Sequence, residues 1–270
     1  MSAAIRVGFV GLGNIGRPMA LRLAAAEAID LHVYDVAPEP VAELVAAGAT
    51  AAASVAELDV DVVCVMVRDD DQVRAVAADV PHDRVLVVHS TVAPGTPAEL
   101  AAAGHRVLDA PVSGGPMGAA EGSLAIMVGG AADAFAVARA ALEAMGSKVV
   151  HAGPVGAGTR MKLARNLIHF VAFTAVTEAQ RLAEAAGLDL VALGEVVRHT
   201  DAITGGPGAI MYRDTTAPIA PDDFWHGVLS HVAALGEKDL GFAIALADEL
   251  GVDVPLAREA LPRLGKGLGL

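Results

Sequence analysis

What the 270-residue chain is short of narrows its identity before any motif does. It has a single cysteine, Cys64, so no internal disulfide is possible, and that thiol lies in the apolar run 62–67, where a small hydrophobe packs into a core. Aromatic residues make up only 3% of the chain, and its 54% hydrophobic content is carried by Ala, Val and Leu, alongside 29 glycines. That balance suits closely approaching helices and buried parallel strands. No apolar run reaches the roughly 18 residues of a membrane-spanning helix. Positive charge is scarce as well: 19 basic against 32 acidic residues give a net charge of −13, which argues against nucleic acid or an anionic membrane as partner. Lysine is scarcest, at Lys148, Lys162, Lys238 and Lys266 only. Arginine supplies the ordinary surface charge, so a lysine here points to something arginine cannot do, such as losing its proton. The nine histidines are scattered, without H-x₃-H or H-E-x-x-H spacing, and no metal site is expected. The chain opens almost directly on a strand, with no charged-then-apolar leader, and with the lone cysteine this gives the expectation of a soluble, cytoplasmic protein.

The first half alternates short apolar runs with helical ones. Ile5–Val10 reads as a buried strand and Arg17–Ala28 as an Ala/Leu-rich helix, and between them stand Gly11, Gly13 and Gly16 as G-x-G-x-x-G. In that context Gly11 permits a tight turn, Gly13 lets backbone approach a pyrophosphate at the helix N-terminus, and Gly16 lets helix and strand pack closely. Asp35 ends the next strand, Leu31–Val36, 22 residues after Gly13, where an acid is expected on the adenosine ribose hydroxyls. A carboxylate there repels a 2′-phosphate, which favours NAD over NADP; the other use of such a residue is to cap the next helix.

Further strands are expected at 49–53, 60–67, 85–88, 106–109, 122–129 and 148–151, with helices at 38–47, 72–78, 94–103 and 131–145. About eight strands result, the early ones parallel and some of the later ones antiparallel. The acidic run Asp69-Asp70-Asp71 follows a strand and precedes a helix, so a helix cap is expected rather than a metal site. His89 is the one histidine near the expected cofactor, in a structural strand-end role. From Asp109 to Gly118 the sequence DAPVSGGPMG suits neither helix nor strand; it reads as a long turn or as a loop whose Ser113 hydroxyl and Gly114 and Gly115 amides hold a carboxylate.

The second half is almost all helical. A turn loosened by Gly153, Gly156 and Gly158 leads into one long helix, 155–186, apolar nearly all round at Leu167–Val176 and expected to be buried between partners, which suggests a dimer sharing it. Helices follow at 190–200, 226–250 and 255–264, with a flexible loop at 204–208. Lys162 and Asn166, four apart, share one helix face. A lysine and an amide so placed can move a proton and hold its acceptor, although helices also carry lysines for solubility. The expected architecture is α/β: a doubly wound sheet over 1–154, then a smaller all-α domain over 155–270 begun by the long helix.

Four motifs now stand in order: GFVGLGNIGRPMALRL at 8–23, DAPVSGGPMGAAEGSLAIMVGG at 109–130, GAGTRMKLARN at 156–166 and EKDLGFAIALADELGVDVPL at 237–256. Together they resemble the β-hydroxyacid dehydrogenase family, of the 3-hydroxyisobutyrate dehydrogenase type, over essentially the whole chain. The resemblance implies an N-terminal Rossmann-type domain, a nicotinamide cofactor (NAD, with NADP possible), a small carboxylate substrate and a homodimer or homotetramer. Gly11, Gly13, Asn14 and Ile15 match the pyrophosphate turn. Val67 and Arg68 match the strand-end pair over the adenosine side, usually Leu-Pro in the family, so that contact is expected through backbone. Thr91 matches the residue that approaches the nicotinamide ribose. Ser113, Gly114 and Gly115 match the substrate-carboxylate loop, Lys162 the catalytic lysine, Asn166 its partner, and Lys238 the lysine near nicotinamide and substrate. Arg165 stands where many members have a first asparagine, and the chain ends in Gly-Leu-Gly-Leu, a shorter C-terminus than the family's usual one.

The chemistry implied is hydride transfer with Lys162 as general acid/base, its pKa lowered by burial and neighbouring charge. Two alternatives remain: an imine reductase-like enzyme of the same architecture, whose members lack the Lys/Asn pair, and a non-catalytic dinucleotide-binding protein. A decarboxylating phosphogluconate-type enzyme would need more basic residues and a longer helical domain. Thr204–Pro207, Met211, Phe224, Trp225 and His231 are the expected pocket lining, and they leave the substrate open among 3-hydroxyisobutyrate, serine, glycerate-type and sulfonated relatives.

Overall fold

The computed structural model describes residues 4–211 and 215–270. The first half forms β1 (Ile5–Val10), α1 (Gly16–Ala24), β2 (Ile29–Tyr34), α2 (Pro38–Ala46), β3 (Thr50–Ala51), β4 (Val62–Val65), α3 (Asp70–Ala78), β5 (Val85–Val88), α4 (Thr96–Ala102) and β6 (Arg106–Asp109). These six strands are parallel in the order β3-β2-β1-β4-β5-β6. The chain therefore leaves β1 in one direction and restarts at β4 on its other side, and a crevice opens at that reversal, beyond the strand ends. Both faces are covered, which explains why the strands read as continuous apolar runs. Val7, Phe9, Cys64 and Val87 face α1 and a later helix, while Val10, Val63, Val65 and Leu86 face α3 and α4. Burial raises the Cys64 thiol to about 12, so it stays protonated and inert.

The sheet continues with β7 (Val112–Ser113), α5 (Gly115–Glu121), β8 (Ala125–Gly130), α6 (Ala132–Met145) and β9 (Lys148–Gly153). β8 runs antiparallel to β6 and β7 and parallel to β9. Among the described residues the sheet has nine strands rather than about eight, because β7 lies inside the stretch expected to be neither helix nor strand. Gly114 (φ +137°) and Gly115 (φ +64°) turn the chain from β7 into α5, which ends at the left-handed Gly122 (φ +69°). Only glycine enters such backbone without strain. The first helix stops at Ala24 rather than Ala28, because residues 25–28 turn back and Ala28 already accepts the Ile5 N–H at 3.0 Å.

The second half forms α7 (Ala157–Ala185), α8 (Leu190–Thr204), a 3₁₀ turn at Gly206–Gly208, α9 (Phe224–Leu250), α10 (Pro255–Ala260), a 3₁₀ turn at Leu261–Arg263 and α11 (Leu264–Gly267). The chain divides into two compact units, residues through Arg165 and from Asn166 onward, and α7 runs across the division. Within the second unit Glu178 of α7 is buried, and its carboxylate accepts the Leu256 and Ala257 N–H groups at 2.8 and 3.1 Å, capping α10. The single helix expected at 255–264 is broken where Pro262 lacks an N–H. The glycine-rich end is structured: Gly269 accepts the Ile219 N–H at 2.8 Å, and Leu268 is buried with Ile219, Leu229 and Ala233. The apolar stretch of α7 expected to be buried leaves Leu167, Phe170 and Phe173 exposed in the single chain. Among the described residues no helix is long and apolar enough to cross a membrane.

His89 ties β5 to the strand beside it. It is 1% exposed, its Nδ1–H donates to the Ala110 carbonyl at 2.9 Å, and its ring stacks on Phe9 at 6.2 Å. Burial lowers its pKa from 6.5 to about 4. A base whose folded pKa is depressed binds its proton more readily in the unfolded chain, so stability rises with pH between those two values and is lost as pH falls through them. Urea unfolding from pH 7 to 4 is therefore expected to reveal an acid-labile component of about 3 kcal/mol that His89→Asn, which keeps the donor but does not titrate, removes. Parallel pH profiles for the two proteins would refute this role.

Candidate functional site

The crevice at the β1/β4 reversal is a cavity of about 690 Å³. Gly11, Gly13, Asn14, Ile15, Asp35, Val67 and Arg68, all singled out in the sequence, line it together with Tyr34, Val36, Gln72, Ala75 and Val76. Gly11 has φ +93°, and a Cβ there would lie 2.2 Å from the Met66 carbonyl oxygen; a Cβ on Gly16 would lie 1.9 Å from the Gly11 carbonyl. At Gly13 a Cβ would meet nothing within 4 Å, so that backbone faces open space. An open glycine turn at the start of the nine-residue α1 is the shape and polarity a pyrophosphate requires, and the residues present fit a nicotinamide dinucleotide.

Asp35 does more than the sequence suggested. Its Oδ2 accepts the Leu12 N–H at 2.5 Å and its Oδ1 the Ala37 N–H at 2.8 Å, so it clamps the glycine turn to the β2–α2 turn. Each oxygen keeps a lone pair for a ribose hydroxyl. Ser90, which sequence reasoning passed over, locks the other side: its hydroxyl donates to the Val67 carbonyl at 2.7 Å and accepts the Val67 N–H at 2.9 Å. The Arg68 N–H donates to Gln72 Oε1 at 3.0 Å. Both N–H groups of the Val67/Arg68 pair are thus already engaged within the protein. Thr91 is exposed just past Ser90. The acidic run serves its helix: Asp69 accepts the Gln72 N–H at 2.9 Å as the cap of α3, and Asp70 accepts the Ala93 N–H at 3.0 Å and the Thr96 hydroxyl. Among the described residues no group of three or more His, Cys, Asp or Glu could hold a metal ion.

Ser113 is half-buried at the end of β7, followed by the two left-handed glycines whose amides open α5. Lys162 lies in the second turn of α7, and that helix is docked by Asp109. The Asp109 carboxylate is fully buried and accepts the Gly156 N–H at 2.7 Å and the Thr159 N–H at 2.6 Å. Gly153 (φ +135°) and Gly156 (φ +88°) make the turn. Gly158, read from sequence as part of that turn, is instead helical and serves close approach: its Cβ would lie 2.2 Å from the Met127 carbonyl and 2.3 Å from that of Asp109. Sequence reading gave neither Asp109 nor Gly158 this docking role; the signal available was an acid ending a strand and a glycine just inside a helix. Lys162 is 8% exposed, and burial first, then the charge of Arg165, hold its pKa below the ordinary lysine value. Asn166 follows four residues on, along the same helical face. In the second unit, Lys238 on α9 is half-exposed, ion-paired with Asp239 at 3.1 Å and 6.0 Å from the Phe242 ring centroid.

Residues 6–153 match the family model described as the NAD binding domain of 6-phosphogluconate dehydrogenase, and residues 156–262 that described as NAD-binding of NADP-dependent 3-hydroxyisobutyrate dehydrogenase. An uncharacterized oxidoreductase of Mycobacterium tuberculosis is 49% identical, over 98% of this chain and 94% of its own. The NAD-dependent L-serine dehydrogenase of Pseudomonas aeruginosa is 36% identical, over 94% of this chain and 85% of its own. The crystal structure of an oxidoreductase from Mycobacterium avium 104 superposes with a TM-score of 0.94 at 46% identity, covering 98% of this chain and 99% of that one.

If α7 is docked as described, Gly158→Ala should cost about 2–4 kcal/mol through overpacking against two carbonyls. Gly227→Ala, in α9 with open space around it, should be neutral or stabilise by up to ~1 kcal/mol. Denaturant midpoints for the two variants check this, and an unchanged midpoint for Gly158→Ala would discard the docking.

Proposed function

The chain belongs to the β-hydroxyacid dehydrogenase family, and we propose that within this family of NAD(P)-dependent oxidoreductases it oxidises a small β-hydroxyacid to its semialdehyde, with Lys162 as the general acid/base. The observation that carries this reading is the lysine itself: buried in a chain whose basic residues are mostly arginine, held by a helix that Asp109 docks, and kept below its ordinary pKa by burial and by Arg165. The bound nicotinamide supplies the hydride acceptor. The protein must supply a base for the hydroxyl proton, and a free lysine near pKa 10.4 is too basic to be neutral at pH 7. Burial penalises the charged ammonium and like charge from Arg165 adds to the penalty, so both favour the neutral amine that takes the proton. In the reducing direction the same Nζ returns it. Asn166 holds the reacting oxygen or the lysine in line, and Ser113 with the Gly114 and Gly115 amides fixes the substrate carboxylate. Lys238 contributes to binding cofactor and substrate, and Thr91 to the nicotinamide ribose.

Asp35 supports NAD as the preferred cofactor, since a carboxylate beside the ribose repels a 2′-phosphate. The activity named for the serine dehydrogenase relative supports a small β-hydroxyacid as substrate. The exposed Leu167, Phe170 and Phe173 of α7, with an α8 that buries none of its residues, support a homodimer or homotetramer formed through the helical unit.

Turnover should be followed by nicotinamide absorbance with NAD and NADP against a panel of β-hydroxyacids and semialdehydes. Lys162→Ala is expected to lower kcat by about 10²–10⁴ while leaving NAD affinity nearly unchanged, and near-normal turnover in that variant would exclude the mechanism. Light scattering at micromolar concentration should give a multiple of the 27.2 kDa chain mass; a monomeric mass would reject the assembly.

A further inference from the structure

We propose that Arg68 is an adenine-binding residue, its guanidinium lying flat against the base of the dinucleotide and acting through stacking rather than through charge. This rests on the NAD(P) reading of the cavity and goes beyond it in naming what holds the base. Among the described residues that line the cavity, Asp35 and Arg68 are the only charged ones. The glycine turn and the start of α1 serve the pyrophosphate, and Asp35 serves the ribose. The wall that remains is Val67, Arg68, Gln72, Ala75 and Val76 on the α3 side, with Val36 just past β2. It is aliphatic apart from one amide and one planar cation. Tyr34, the one aromatic on the cavity wall, packs against the core cluster beneath.

Arg68 is built to present its side chain. Its N–H is committed to Gln72 Oε1, so it has no backbone donor to offer. Its Nε donates to Asp69 Oδ2 at 3.2 Å, and Asp69 is itself fixed by accepting the Gln72 N–H at 2.9 Å through its other oxygen. Three hydrogen bonds thus link Arg68, Asp69 and Gln72 at the cavity rim, and the Arg68 side chain stays 82% exposed. A planar guanidinium at the rim is accessible to a flat base, and guanidinium stacks on aromatic faces where an ammonium does not. Its charge is already balanced by Asp69, which leaves the plane as its contribution. Proline, the family's usual residue here, could offer neither.

The test is calorimetric titration of the wild type, Arg68→Ala and Arg68→Lys with NAD, 5′-AMP, nicotinamide mononucleotide and NADP. Stacking predicts that Arg68→Ala weakens NAD and AMP by about 5- to 30-fold, leaves nicotinamide mononucleotide unchanged, and is not rescued by Arg68→Lys, which keeps the charge and loses the plane. Full rescue by lysine, unchanged AMP affinity, or a loss confined to NADP would each overturn the inference. Failure of the wild type to bind NAD or AMP would overturn it together with the cofactor reading. If the substrate panel is silent while NAD binds, the proposed reaction alone falls, and the same titrations still decide the role of Arg68.

Discussion

A carboxylate taken wholly out of water must be met by donors, and Asp109 is met by two backbone N–H groups at the start of α7. Much of the site depends on that contact. It ends β6, docks the turn into the long helix, and so fixes where Lys162 lies relative to the sheet. The close approach is possible only because Gly158 and Gly129 carry no side chain: a Cβ on Gly129 would lie 2.4 Å from Asp109 Oδ1. The same device recurs in the second unit, where the buried Glu178 caps α10. In both places a charge that would be costly alone is satisfied by helix-terminal amides, which carry partial positive charge of their own.

The cofactor cavity follows a related logic. The reversal of strand order between β1 and β4 opens the crevice, and short side chains clamp its rim. Asp35 ties the glycine turn to the β2–α2 turn, and Ser90 ties the end of β4 to that of β5. The rim is thereby rigid before any ligand arrives, which keeps the ordering cost of binding low. Lys162 is a buried amine beside a second cation, and both effects push it toward its neutral form.

Most of the fold was legible in the chain. The apolar runs marked the strands because a sheet covered on both faces leaves no polar alternation, and G-x-G-x-x-G between a strand and a helix marked the dinucleotide turn. Element ends were less legible. β7 escaped notice because a two-residue strand has no periodicity, and α5 because glycine and proline open it. The structured C-terminus escaped for a similar reason, since Gly-Leu-Gly-Leu has no pattern of its own and is ordered by packing Leu268 against Leu229 and Ala233.

The sequence by itself determined the family, the α/β-then-helical order and the glycine turn, and it singled out Lys162 as the candidate base, because these rest on local spacing and on a residue type the chain uses sparingly. Tertiary structure alone decided which groups hold those residues in place. Asp109 and Gly156 are 47 residues apart, and Ser90 and Val67 are 23 apart, so no local pattern links them. Only strand pairing brings such partners within hydrogen-bond reach, and burial is the first cause of the lowered pKa of Lys162, ahead of the charge of Arg165.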